Sequence, residues 1–549
     1  MVRAMRHLLR LLVLAAVVAL VGPLAGPLAP TGPLAPAGVS AAVADFPAGL
    51  RGYHTYAEMV ADIEAVAAAH PDIVSLRSIG KSYQGRSLWV AKVSDNVTVD
   101  EAEPEVLYDG LHHADEHMSL EMTLSILHWL ADGYGHDARV TKIVNTREIW
   151  ILFAINPDGA EYDIAGGRLH AWRKNRQPNA GSGAVGTDLN RNYGYRWGCC
   201  GLVSRLPSSP YFRGAAAFSA PETAAYRAFV ASRVVGGRQQ IRVAITFHES
   251  GRLVMWPYGY TKTNVPRDMT AQDQAALAII GRHMAASNGY RPEQASDLYV
   301  DSGTSRDWLY GTYRIFAYTI ELGTGLYRPD TVIAPETGRN RDAVLYAAER
   351  ASCPLGVLGA AVRAARCGAL DDDLEVGRGW TVNPDGTDTA PASGRWARGV
   401  PARTASGGVT LQPGTATSGR SVFATGLAAG ASAAASDLDG TTTIRSAPIT
   451  LAAATGQRLT FRYVWAHLAN AGAADHLRAI VEAANGTRTV VWARNGAATV
   501  LAGSWRSASV SLDPWAGQVI RVRFEAVDSG PASTVEAGLD DIRVTAPGP

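Results

Sequence analysis

Two apolar runs, Val243-Ala244-Ile245-Thr246-Phe247 and Phe316-Ala317-Tyr318-Thr319-Ile320, end abruptly on His248 and Glu321. Short runs of β-branched and aromatic residues predict strands buried on both faces, and such strands belong to sheets covered by helices. Further strand candidates lie at residues 88–93 and 149–155. Helical spacing alternates with them at residues 120–130, 220–233, 272–288 and 341–351. Ahead of all these, residues 55–70 repeat Met59, Ile63 and Val66 at helical spacing and stop at Pro71. The alternation predicts an α/β domain. Sheets of that kind gather their sites at the carboxyl ends of strands, so the polar residues ending these runs are candidates for chemistry.

Composition shifts near residue 371. Beyond it the chain is rich in Gly, Ala, Ser and Thr, with short alternating segments at 459–464, 477–482, 489–493, 519–525 and 542–545. Helical periodicity fades there, so an all-β sandwich of jelly-roll type is expected. A chain of 549 residues exceeds one ordinary core, which gives a division into 1–44, 45–370 and 371–549. Lys+Arg 51 against Asp+Glu 50 leaves a net charge of +1 with no basic stripe, so no nucleic-acid partner is expected.

Residues 1–44 read as a secretory signal. Arg3, Arg6, His7 and Arg10 precede an apolar run over 11–21 that Gly22-Pro23 ends, and Ala42-Val43-Ala44 offers a small-residue cleavage site. The run is shorter than the ~20 residues a spanning helix needs, and the tail Ala546-Pro547-Gly548-Pro549 carries no apolar anchor. A secreted, extracellular protein with no membrane anchor is expected. Cys199, Cys200, Cys353 and Cys367 suit an oxidising compartment. Three pairings are open. Cys353 with Cys367, closing a short loop, is preferred and leaves two adjacent cysteines.

In Leu111-His112-His113-Ala114-Asp115-Glu116-His117, an imidazole and a carboxylate stand three residues apart, between a strand ending at Tyr108-Asp109-Gly110 and a helix opening at Ser119. His113 and Glu116 suit zinc, which takes neutral imidazole nitrogen and carboxylate oxygen; a catalytic site needs a third ligand and an open position. His248, at another strand end, is the candidate third ligand. Glu321 ends a buried strand, where an idle carboxylate would be costly, so a general base is the economical reading. Arg173, in Trp172-Arg173-Lys174-Asn175-Arg176, could donate to a developing oxyanion. Asn190 and Arg191 offer an amide and a planar fork suited to a terminal carboxylate, and Asp188 could orient a ligating imidazole.

These segments, with Asn156-Pro157-Asp158-Gly159, Pro257-Tyr258-Gly259-Tyr260 and Tyr318-Thr319-Ile320-Glu321-Leu322, resemble the zinc carboxypeptidases, most of all the bacterial carboxypeptidase T type, over residues 53–367. The resemblance implies a mixed eight-stranded sheet flanked by helices and one Zn2+ per chain held by His113, Glu116 and His248. It makes Glu321 the base toward water, Arg173 the group polarising the scissile carbonyl, and Asn190 and Arg191 the holders of the substrate's free carboxylate. Tyr299 matches the family's mobile tyrosine.

Three departures stand out. Asp115 replaces the usual arginine of the family's His-Ala-Arg-Glu motif, Ser250 replaces a tyrosine after the third ligand, and no long propeptide precedes Tyr53. In the family, the residue just before Asp307-Trp308 lies at the base of the pocket for the terminal side chain; here it is Arg306. That resemblance implies a preference for acidic C-terminal residues, while Asp301 could instead pair with Arg306 and leave a polar, broadly accepting pocket. The expected activity is release of C-terminal residues from peptides and proteins. A cell-wall stem-peptide or branched-amide hydrolase using the same zinc site is the alternative, and a non-catalytic peptide- or glycan-binding protein a more distant one. The β-rich region could contact glycan or a cell surface, and Asp437, Asp439, Asp540 and Asp541 could hold a structural Ca2+.

Overall fold

The computed structural model describes residues 45–547 apart from 102, 236, 376, 428–436 and 530–532; the signal expected at 1–44 lies outside the described residues. Eight strands form one mixed sheet: β1 (Val74–Lys81), β2 (Ser87–Val93), β3 (Glu105–Asp109), β4 (Glu148–Leu152), β5 (Ile241–Glu249), β6 (Leu253–Trp256), β7 (Arg291–Gln294) and β8 (Phe316–Leu322). Their order is β1-β2-β4-β3-β5-β8-β6-β7. The central β4, β3, β5 and β8 run parallel, while β1, β2 and β6 pair antiparallel to their inner neighbours.

Both faces of the central strands are covered, which is why those strands read as continuous apolar runs. Along β5 the side chains alternate. Val243, Ile245 and Phe247 join one core, with helices α1 (Tyr56–Ala69), α2 (Met118–Gly133), α4 (Ala271–Asn288) and α6 (Ile333–Arg350). Ala244 faces the other core, with Tyr226 and Phe229 of α3 (Pro221–Ser232) and Trp308 of α5 (Ser305–Tyr313). Each large side chain fully buried this way contributes roughly 1.5–3 kcal/mol. The α1 terminus is fixed by a reciprocal cap between Thr55 and Glu58. The outer strands β1 and β7 carry exposed positions and charged residues, so no apolar run betrays them in the sequence.

Beyond residue 370 the structure is β-rich. One antiparallel sheet joins Trp396–Gly399, Val422–Thr425, Val535–Val544, Arg458–His467 and Arg506–Ser511; another joins Thr381–Val382, Gly440–Arg445, Val519–Asp528, His476–Ala483 and Arg488–Asn495. Inward residues of both share one core, where the Phe461 and Phe524 rings meet edge to face at 4.9 Å. Cys353 pairs with Cys367 as preferred, and the adjacent Cys199 and Cys200 pair with each other.

Candidate active site

Two glycines let the His113 turn form. A side-chain carbon on Gly110 would lie 2.4 Å from the Ser119 carbonyl oxygen, so only glycine admits the start of α2 against the end of β3. One on Gly159 would meet Ala114 and the Lys174 carbonyl at 2.7 and 2.6 Å, which explains the Asn-Pro-Asp-Gly sequence beside the turn. Asn156 braces the same loop by donating to the His112 carbonyl at 3.1 Å, and the Leu111 N–H donates to Ser119 Oγ at 2.9 Å.

Strand register supplies the other half. The parallel pairing of β5 with β8 sets His248 directly opposite Glu321. His248 shares parity with Ala244 and Glu321 with Ala317, so both side chains leave the same face at the carboxyl ends of adjacent strands. Glu116 stands between the imidazoles: its Oε1 lies 2.6 Å from His113 Nδ1 and its Oε2 2.7 Å from His248 Nδ1. The two Nδ1 atoms are 3.2 Å apart. All three residues are at least 95% buried and offer donor atoms within 4.8 Å of one another. Two neutral nitrogens and one carboxylate, enclosed and convergent, fit zinc.

Each imidazole has a partner on its other nitrogen, as ligating histidines do. Asp188 Oδ1 lies 3.2 Å from His113 Nε2, and Asn190 Nδ2 lies 3.1 Å from His248 Nε2. Arg173 donates through Nε to Asp188 Oδ2 at 3.0 Å and reaches Glu116 Oε1 at 3.9 Å. Burial alone would push Glu116 up, but His113 and His248 hold it well below the usual carboxylate range. Asp188 is held down likewise by Arg173 and His113. Glu321 is pushed up to about 8, by burial first and then by the charge of Glu116, against the pull of His113, Arg173 and Arg306.

Among the residues expected at the site, two carry a buried polar atom without a hydrogen-bond partner: Glu321 at Oε2 and Arg191 at Nη2. Arg191 is otherwise fixed by the carbonyls of Leu202 (2.7 Å) and Asn190 (2.8 Å), with Asp301 Oδ2 at 3.7 Å. Tyr299 is 39% exposed, with its ring 6.0 Å from the Arg191 guanidinium carbon. Arg306 is surrounded: Asp307 at 3.1 Å, Thr319 at 3.2 Å and Asp301 at 3.5 Å. Asp115 is half-buried beside Glu116.

Three neighbours escape the sequence reading. His112 is fully buried, stacked on His248 with ring centroids 5.3 Å apart and 2.7 Å from the Tyr193 hydroxyl. Glu249 accepts from the Met118 N–H at 3.1 Å, and burial pushes its carboxyl well above the usual range. Tyr211 packs under both Arg173 and Arg191. His112 was visible as one of two adjacent histidines, whereas nothing in the local sequence marks Tyr211.

The Ca2+ expectation is not supported. Among the described residues, Asp437, Asp439, Asp540 and Asp541 contribute no three ligand atoms to one place. Asp540 accepts from Thr417 N and Oγ1, while Asp541 accepts from Ser418 and Arg543. Their oxygens are spent on protein donors.

The zinc carboxypeptidase family model matches residues 59–343, just over half of the chain. The chain belongs to the zinc carboxypeptidase family. As a zinc metallocarboxypeptidase it is a hydrolase, and the His113–Glu116–His248 triad is its candidate metal site. It is 47% identical over 320 residues to a zinc carboxypeptidase of Saccharothrix mutabilis subsp. capreolus, covering 57% of this chain and 73% of that one. It is 30% identical over 306 residues to human mast cell carboxypeptidase A, covering 54% and 70%. Among solved structures, thrombin activatable fibrinolysis inhibitor matches with a TM-score of 0.50 and 27% identity, over 55% of this chain and 74% of that one. No helix among the described residues is long and apolar enough to cross a membrane.

Proposed function

We propose that this zinc carboxypeptidase is a secreted exopeptidase that releases single residues from the free carboxyl ends of peptides and proteins. The observation that carries the reading is the pair of orphaned atoms: one unspent acceptor on Glu321 and one unspent donor on Arg191, in the cleft of the zinc triad. These are the two atoms that such a reaction needs, and both lie beside the candidate zinc triad.

His113, Glu116 and His248 would hold zinc, which supplies Lewis acidity toward water and carbonyl oxygen when bound. Arg191, with Asn190, receives the substrate's terminal carboxylate through charge-assisted hydrogen bonds. Arg173, steadied by Asp188, donates to the scissile carbonyl as negative charge develops on its oxygen. Glu321 accepts a proton from the attacking water and returns it to the leaving amine. Tyr299 closes over the bound substrate and excludes bulk water.

Arg306 bears on the terminal side chain. A lone guanidinium at the pocket base would select Asp or Glu, but this one faces Asp301 and Asp307. The ion pairs favour the second reading, a polar pocket that accepts several terminal residues. Peptides ending in Glu, Leu and Lys should therefore be cleaved within about tenfold of one another; a hundredfold preference for Glu restores the acidic reading. Amidating the terminal carboxylate should slow release at least a hundredfold, as a charge-assisted contact worth about 3 kcal/mol is lost. Equal rates for acid and amide would remove Arg191 from substrate binding.

Residues 45–370 are read as the catalytic domain and 371–549 as an accessory sandwich of jelly-roll type, supported by the core its two sheets share. That region is a candidate for glycan or cell-surface contact.

A further inference from the structure

The strands that end in His248 and Glu321 begin among arginines. Arg242 is the second residue of β5, and Phe316, the first of β8, pairs with Val243. Six residues at about 3.3 Å each separate Arg242 from His248, so ~20 Å of strand divides the two ends.

Around Arg242 opens a cavity of ≈ 380 Å³ whose lining includes Arg238, Arg314, Arg366, Tyr313 and Leu355. A second cavity of ≈ 580 Å³ adjoins it, sharing Arg238, Arg242 and Arg366 and adding Arg543. The only carboxylate lining the first is Asp273, which already accepts from the Tyr310 hydroxyl at 2.8 Å. The second is lined by two carboxylates: Asp371, taken by Arg543 at 2.8 Å, and Glu103, which burial pushes well above the usual carboxylate range. Four arginines around one committed aspartate, in a chain of net charge +1, is a local excess that bulk composition does not explain.

Arg242 makes the case sharper. Its side chain is half-buried and has no hydrogen-bond or ion-pair partner among the described residues; the charged group it feels is another cation, Arg238. Arg238, Arg314 and Arg366 are exposed, so the unbalanced charge falls on the half-buried Arg242, where an arriving anion would offset the repulsion from Arg238. One wall of the cavity, with Pro354, Leu355 and Arg366, lies in the segment that the Cys353–Cys367 disulfide closes. The site is thus built on a strand end and a covalently tied loop.

We propose that this cavity pair binds tetrahedral oxyanions, phosphate or sulfate groups, taken free or as the repeating charges of an acidic polymer. Planar guanidinium forks match such groups bidentately, and the shared arginines place successive charges side by side. Because it lies at the far end of the sheet, a bound polymer would hold the enzyme and leave the zinc cleft open.

Calorimetric titration of the zinc-loaded full chain with sodium sulfate and with dextran sulfate tests this. Wild type should bind, more weakly as ionic strength rises, and Arg238→Gln/Arg242→Gln should raise Kd at least tenfold while short-peptide hydrolysis stays unchanged. Tighter binding of dextran sulfate per sulfate group supports a polymeric source, and equal binding a free anion. Should the double variant fold poorly, Arg366→Gln, on an exposed helix position, must weaken binding severalfold. No binding by wild type, or the same Kd in wild type and the folded variants, overturns the proposal.

Discussion

Glu116 and Glu103 are equally buried, at 4% exposure each, yet their surroundings drive them in opposite directions. Glu116 lies between two imidazoles within 2.7 Å and is held well below the usual carboxylate range. Glu103 sits with Asp95 and Glu101 where the α/β region meets the β-rich one, and Gly419 donates to Glu101 at 2.9 Å across that seam. Neither oxygen of Glu103 or Asp95 has a hydrogen-bond partner. Burial pushes Glu103 well above the carboxylate range and Asp95 up to about 7, with Glu101 adding to both. Glu375, on the β-rich side, is pushed up to about 8. Burial raises all of these groups alike; the partners decide which carboxylate is held charged, as a metal ligand must be, and which is a neutral filler.

The largest break in this comparison is at the metal. Glu116→Gln removes the charge between the imidazoles, so zinc content and hydrolysis should both fall to background, by at least two orders of magnitude in affinity; a variant that retains stoichiometric zinc contradicts the triad. Next comes Asp188→Asn, which weakens the partner of His113 and of Arg173 together. Zinc affinity should drop about 10–100-fold, read by competition with a chromogenic chelator, and an unchanged affinity would leave Asp188 to Arg173 alone.

The seam responds through pH, with the opposite sign from the centre. Groups whose folded pKa is raised stabilise fully below their unfolded pKa and lose that contribution as pH climbs through the folded value. Urea unfolding without added divalent cations should therefore show stability falling between about pH 5 and pH 8, by up to ~1.4 kcal/mol per pH unit for each such carboxyl. Glu103→Gln should flatten the profile and be the more stable protein at pH 8 by roughly 1–3 kcal/mol. A wild-type profile already flat over that range would mean that Glu103 and Asp95 are ionised when folded.

What the sequence reveals follows from the same distinction. Val243–Phe247 and Phe316–Ile320 are legible because both faces of the central strands are covered, and the residues ending them, His248 and Glu321, fall opposite each other. The edge strands Val74–Lys81 and Arg291–Gln294 are half-exposed and leave no such run. The candidate ligands His113 and Glu116 announce themselves by their spacing. Tyr211 reaches Arg173 and Arg191 through loop packing, which no local pattern encodes. Arg306 could be read either way in sequence, because only the fold sets its distances to Asp301 and Asp307.

The central claim is that Glu321 acts on water beside a zinc held by His113, Glu116 and His248. Metal analysis together with release of the terminal residue from a free-acid peptide, for wild type and Glu321→Gln, tests it most directly. The account predicts one zinc in both proteins and a loss of turnover of about 10²–10⁴-fold in the variant. A zinc-replete wild type that releases no terminal residue, or a variant that turns over as fast as wild type, would contradict it.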